Sequence, residues 1–231
     1  MLRAIVFDFD GIIVNSEGII FRLTQEMAAQ EGWSVSENEY YTDYLALDDR
    51  GIVEHLYRSH RRPIDTARRD ELVQWKYRQY QEIIRDGLPP LPGAVEFVRK
   101  VAAKYPLAIA SGSLREEIEH LLGKLGLQGE FSVLATADDC ERSKPDPQVY
   151  RIALKRLQQL PAFRDQPLRA AECLAVEDAP LGVKAAHGAG MKCLALPHSR
   201  PPEELRQADW VAREFPEVDL ARIEEAFRQG K

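Results

Sequence analysis

The sequence predicts an α/β fold, a doubly wound parallel sheet with an α-helical domain inserted after its first strand. Three observations carry that reading. From residue 93 onward, short apolar runs alternate with amphipathic stretches of helical period, as in a parallel sheet covered by helices on both faces. One further apolar run, residues 2–7, precedes this region. Between the two, residues 16–88 carry helical patterns but no convincing strand, and the Pro/Gly-dense stretch DGLPPLPG at 86–93 reads as a linker. We therefore expect a Rossmann-like core from residues 1–15 and 89–231 and a helical cap from 16–88. A length of 231 residues suits one large core with a smaller satellite.

The elements follow in order. Residues 2–7 make the first strand. Helical patterns lie at 16–30, around 50–60 and at 66–85, the last marked by Leu72, Trp75, Tyr80 and Ile83 with charges between them. After the linker, helix 93–104 leads to strand 107–111, and helix 114–126 leads to strand 131–135. Helix 147–159 then leads to strand 173–177, and helix 180–189 to strand 192–196, with a short last strand over 209–211. Helix 114–126 is well marked. Ser113 and Glu116 have capping-box spacing, Leu114, Ile118, Leu121, Leu122 and Leu125 share a face, and Gly126 stops it.

Composition narrows the class. With 45% hydrophobic and 29% charged residues the chain is an ordinary globular one, and a formal charge of −6 gives no support to a general nucleic-acid binder. Cys140, Cys173 and Cys193 lack metal-like spacing, and their odd number argues against a disulfide framework. Cys173 and Cys193 lie in strand-like runs and read as buried, inert thiols. No apolar run approaches membrane-spanning length, and the N-terminus enters a strand without a basic region and cleavage site. A cytoplasmic monomer is expected, with neither membrane nor nucleic acid as partner.

In an open α/β sheet, ligands bind beyond the carboxyl ends of the strands. Asp8 and Asp10 follow the first strand, in DFDG. Ser111-Gly112-Ser113 closes the second. Beyond the third lies CERSKPDPQ with Lys144, and the fourth ends in Glu177-Asp178. Taken singly, each has a plainer reading: a solvated turn for DFDG, a helix cap for Ser111 or for Glu177-Asp178, a surface amine for Lys144. Together they put four acids, a hydroxyl and a lysine on one rim. Four carboxylates repel unless a hard cation joins them, and Mg²⁺ takes carboxylate, water and phosphate oxygens. The lysine and the hydroxyl suit a phosphoryl group. The rim thus reads as a site for Mg²⁺ and a small phosphate monoester. Residues i and i+2 of an extended segment point the same way, so Asp8 and Asp10 can face one ligand. One can attack phosphorus, and the other can serve as acid and base. Gly11 permits a tight turn whose amides approach phosphate oxygens. Ser113 is assigned to the cap of its helix, which leaves Ser111 for the ligand.

The set DFDG (8–11), Ser111, Lys144 in SKPDP, and VEDAPLGVKAAHGAGM (176–191) resembles the haloacid dehalogenase superfamily of hydrolases. The inserted helical segment resembles the subgroup of β-phosphoglucomutases and phosphoglycolate-type phosphatases. The resemblance implies Asp8 as nucleophile and Asp10 as acid/base. It implies Mg²⁺ held by Asp8, the carbonyl of Asp10 and Asp178, with Glu177 assisting directly or through water. It implies a phosphoryl group held by Gly11, Ser111, Gly112 and Lys144. The dehalogenases of the family lack the second aspartate, so Asp10 favours phosphate chemistry. Ile12 and Asn15 depart from common family residues. Ile20 stands where the mutases carry a histidine, which favours a phosphatase over a phosphosugar mutase.

The leaving group of the substrate must touch the cap. Lys76, in WKYRQY, is similar in setting to a substrate-contacting lysine of the mutase group, and Arg50, in ALDDRG, lies near a loop used for specificity in the family. A solvated basic face, with Arg58, Arg68 and Arg69 nearby, is the plainer account of both. Two other readings are a binding protein that lost turnover, against which no catalytic residue is missing, and a dinucleotide-dependent dehydrogenase, against which no G-x-G-x-x-G follows the first strand.

Overall fold

The computed structural model describes residues 1–198 and 202–229. The expected core range 89–231 also includes 199–201 and 230–231, which lie outside the described residues. One parallel sheet holds β1 (Ala4–Phe7), β2 (Leu107–Ala110), β3 (Phe131–Ala135), β4 (Cys173–Glu177), β5 (Lys192–Ala195) and β6 (Trp210–Val211), in the order β3-β2-β1-β4-β5-β6. Winding runs one way from β1 to β3 and the other way from β4 to β6, so the order reverses between β1 and β4. Their pairing is in register from Ala4 opposite Cys173 to Phe7 opposite Val176, which brings the two carboxyl ends level.

Alternation along the strands sorts the two faces. Ile5, Phe7, Leu107 and Ile109 point to the layer of α5 (Ala94–Ala102), α6 (Arg115–Leu125) and α9 (Leu220–Gln229). Ala4, Val6, Ala108, Ala110 and Ala175 point to α7 (Gln148–Leu157) and α8 (Pro180–Gly188). The small side chains on this second face let α7 approach closely, and Tyr150 of α7 is fully buried there.

The segment between β1 and α5 is helical: α1 (Glu17–Gln30), α2 (Glu37–Glu39), a wider turn Tyr40–Tyr44, α3 (Asp49–Ser59) and α4 (Thr66–Ile84). Aspartates start two of these helices. Asp48 accepts the Gly51 N–H at 2.7 Å and Asp65 accepts the Arg68 N–H at 2.8 Å. Met27, Tyr40, Tyr44, Ile52, Leu56 and Leu72 give the insert its own core. It joins the sheet domain through two crossing stretches tied to each other, Asn15 N–H to Pro89 O at 3.0 Å and Leu91 N–H to Ile13 O at 3.1 Å. Among the described residues, no helix is long and apolar enough to cross a membrane.

One expectation needs correction, and one element was not expected. Ser113 does not cap α6: the helix starts at Arg115, and the Glu117 carboxylate accepts the Leu114 N–H at 3.0 Å instead. The C-terminal helix α9 was not read from the sequence, although Leu220, Ile223 and Phe227 form an amphipathic face that buries beside Trp210.

Candidate active site

The carboxyl ends of β1 and β4 place the acids. Asp8 extends the β1–β4 ladder by one bond, its N–H donating to Val176 O at 2.9 Å, so its carboxylate stands just past the sheet. Glu177 closes β4 and is fully buried. Asp178 follows it. Oxygens of Asp8, Glu177 and Asp178 all lie within 4.8 Å of one another. Two glycines make room for this crowding. Gly11 turns with φ +69°, and a Cβ there would stand 2.2 Å from Asp178 Oδ2. A Cβ on Gly182 of α8 would stand 2.0 Å from Glu177 Oε2.

Lys144 is buried among these acids. Its Nζ reaches Asp8 Oδ2 at 2.8 Å and Glu177 Oε1 at 2.7 Å, and the Tyr150 hydroxyl donates to the same Glu177 oxygen at 2.5 Å. Burial works to lower the Lys144 pKa, but Asp8 and Glu177 overcome it and hold the ammonium charged. Burial also pushes the Asp8 carboxyl up to about 7, against the opposing pull of Lys144. Burial and a hydrogen bond with Glu17 push Asp178 well up. One ammonium thus faces three buried carboxylates, and the imbalance fits a divalent cation with oxygen ligands.

Asp10 is oriented by two hydroxyls from opposite sides. Ser16, at the entry to α1, donates to Oδ1 at 2.5 Å, and Ser113, on the loop after β2, donates to Oδ2 at 2.5 Å. Ser111 Oγ accepts the Ser113 N–H at 3.0 Å, which leaves its own proton for another acceptor.

A cavity of about 350 Å³ separates this rim from the inserted helices. Asp8, Asp10, Ser111, Gly112, Lys144 and Asp178 line it on the sheet side, while Glu177 and Gly11 lie beneath them. Lys76 and Arg50 line it from the helices. Lys76 is paired with Asp49, and the Arg50 guanidinium donates to Cys140 O at 2.9 Å across the gap. The three cysteines are buried and free. Sequence reasoning missed Ser16, Glu17, Ser113 and Glu117. Each starts or precedes a helix, where serine and glutamate look like ordinary caps.

The family model described as haloacid dehalogenase-like hydrolase matches residues 5–196. The chain belongs to that family. This hydrolase is 30% identical to protein CbbY of Rhodobacter capsulatus over 221 residues, covering 90% of this chain and 92% of that one. It is 29% identical to hexitol phosphatase B of Escherichia coli over 197 residues, covering 85% and 84%. The solved β-phosphoglucomutase of Clostridium difficile superposes with a TM-score of 0.85 at 19% identity, covering 99% and 98%, a likeness of fold. The enzyme is of the phosphoric monoester hydrolase kind.

Proposed function

We propose that the chain is a Mg²⁺-dependent phosphatase that hydrolyses a small phosphorylated metabolite, a sugar phosphate or a similar compound, through an aspartyl-phosphate on Asp8. The observation that carries this is the convergence of Asp8, Glu177 and Asp178 around Lys144 at the reversal between β1 and β4. The relative named hexitol phosphatase B supports a phosphorylated polyol or sugar.

Asp8, the carbonyl of Asp10 and Asp178 would hold Mg²⁺, with Glu177 beside or behind them. The bound ion supplies charge neutralisation for the carboxylates and for the transferring phosphoryl oxygens. Lys144, Ser111 and the amides near Gly11 and Gly112 hold that group in line with Asp8. An Asp8 oxygen bonds to phosphorus as the ester oxygen leaves, taking the proton from Asp10. Water then attacks the same phosphorus, gives its proton to Asp10, and releases Asp8 and inorganic phosphate. Ser16 and Ser113 hold Asp10 in place for both transfers.

Residues 16–88 act as a cap over this chemistry, and closure excludes bulk water. The hinges of this motion are expected at residues 13–17 and 86–92, and the pairing of 13–15 with 89–91 favours the parts outside the tied stretches, 16–17 and 86–88. The mutase reading requires transfer of the phosphoryl group back to a sugar hydroxyl, and Ile20, which lines the cavity, has no proton to lend.

The test is phosphate release from a panel of sugar phosphates and an aryl phosphate, with Mg²⁺, with chelator, and with Asp8→Asn. Release that needs Mg²⁺ and falls at least ~10³-fold in the variant supports the phosphatase. Isomerisation of a hexose phosphate without release would replace it with the mutase.

A further inference from the structure

The half of the cavity away from Lys144 must receive whatever the phosphate is attached to, and its charges are unusual for a site that binds anions. Three cations line the whole cavity among the described residues: Lys144, Lys76 and Arg50. The two lysines are ion-paired, and Arg50 is held by backbone carbonyls. Lys144 lies between Asp8 and Glu177. Lys76, with only 5% of its surface exposed, is paired with Asp49. Arg50 Nη2 donates to two carbonyls, Cys140 O at 2.9 Å and Ala137 O at 3.5 Å.

Opposite them stand Asp10, Asp49 and Glu117, which line the same space. Glu117 is buried at the start of α6, accepts the Leu114 N–H and lies 3.3 Å from the Gln81 amide. Burial pushes it up to about 8, so near neutrality it is an uncharged carboxyl with a proton to donate, and above that an anion. The anion repels a negative group, and the protonated form carries no positive charge to offset one. Glu17, Asp48 and Asp138 also line the cavity, and apart from these, the rim acids, Asp49, Glu117 and the three cations, its polar lining is neutral. The Tyr80 hydroxyl is buried there beside Ser16, with no hydrogen bond of ordinary geometry among the described residues, and Gln74 adds an amide. Donors and acceptors of this kind match alcohols.

We propose that this half of the cavity selects a phosphate monoester whose leaving alcohol is uncharged and rich in hydroxyls, and rejects one whose far end carries a second phosphate or a carboxylate. The proposal deepens the phosphatase reading and rests on it. Asp49 is its positioning residue, because it cancels the one ammonium that would otherwise receive a second anion. A like-charge encounter within a partly enclosed site shifts affinity by about tenfold or more.

The experiment compares kcat/KM on a hexitol monophosphate, a hexose bisphosphate, phosphoglycolate and an aryl phosphate, with Mg²⁺, for the wild type and Asp49→Asn. Binding of the first two to the inactive Asp8→Asn protein is measured by calorimetry in parallel. The wild type is expected to prefer the hexitol monophosphate at least tenfold over both anionic compounds. Asp49→Asn, which frees Lys76, should improve the bisphosphate at least tenfold relative to the hexitol, through KM and not kcat. A bisphosphate used or bound as well as the hexitol, while the aryl phosphate is hydrolysed, would overturn the selectivity and leave the phosphatase standing. An unchanged preference in Asp49→Asn would overturn the role of that pair. No release from any compound, the aryl phosphate included, would remove the phosphatase and this proposal with it.

Discussion

Lys144 touches two buried carboxylates at once, so its removal exposes the electrostatics of the site directly. Lys144→Met keeps the volume of the stem and deletes the charge. It should destabilise the metal-free protein by about 3–5 kcal/mol, the cost of stranding buried carboxylates, as measured by urea unfolding with chelator. Mg²⁺ should restore part of that loss, because the cation takes over the compensation.

Glu117 gives a second prediction at this scale, with a defined sign. Its folded-state value of about 8 lies above the ordinary glutamate value of 4.5. Between those two pH values the folded chain holds a proton that the unfolded chain has lost, so Glu117 weakens the fold as pH rises through the window. Glu117→Gln mimics the protonated form and does not titrate. The variant should match the wild type below pH 4.5 and exceed it increasingly up to pH 8, by on the order of 1 kcal/mol or more, in denaturant unfolding at several pH values. A constant difference across that range would refute the assignment.

At the scale of elements, Asp139 ties the turn after β3 to two helices. Its carboxylate accepts from Arg156 of α7 at 2.6 Å, from Arg115 of α6 at 3.2 Å and from the Thr136 N–H at 3.0 Å. The Arg156 hydrogen bonds lower its pKa to about 2. The stability it provides is present above the unfolded value near 3.8 and is lost as pH falls toward 2. Asp139→Asn should cost about 1–2 kcal/mol at pH 7, roughly 2–8 °C in Tm, and the gap should close in acid.

Much of this layer was legible in the sequence, and the failures have physical causes. The strands after residue 93 and the acids at their ends could be read because buried parallel strands are continuous apolar runs bounded by polar loops. Ser113 was misread because Ser-x-x-Glu spacing fits a cap wherever it occurs, while a serine turned to Asp10 from the loop of the neighbouring strand leaves no local mark. Ser16 and Glu17 were missed for the same reason: they belong to the site only because α1 returns over the β1 loop. α9 was overlooked because the alternating pattern had already ended, and its apolar face needs Trp210 as a partner to be recognised.

For the whole molecule, the sheet and the inserted helices each have a core, and the cavity lies where they meet. Any cation bound by Asp8, Glu177 and Asp178 binds the folded chain alone, since those residues are brought together only by the sheet order. Saturating Mg²⁺ should therefore raise the wild-type Tm by several degrees in a thermal scan, and the shift should vanish in Asp178→Asn. The measurement nearest the central claim is the site of the covalent intermediate. Asp10→Asn enzyme is mixed with an aryl phosphate and Mg²⁺, quenched in acid, digested and mapped by mass spectrometry. An aryl leaving group needs no proton, so phosphorylation proceeds while hydrolysis lacks its base. A phosphoryl adduct on the peptide containing Asp8 is the predicted result. Turnover by the wild type with no adduct in the variant, or an adduct on another residue, would contradict the account.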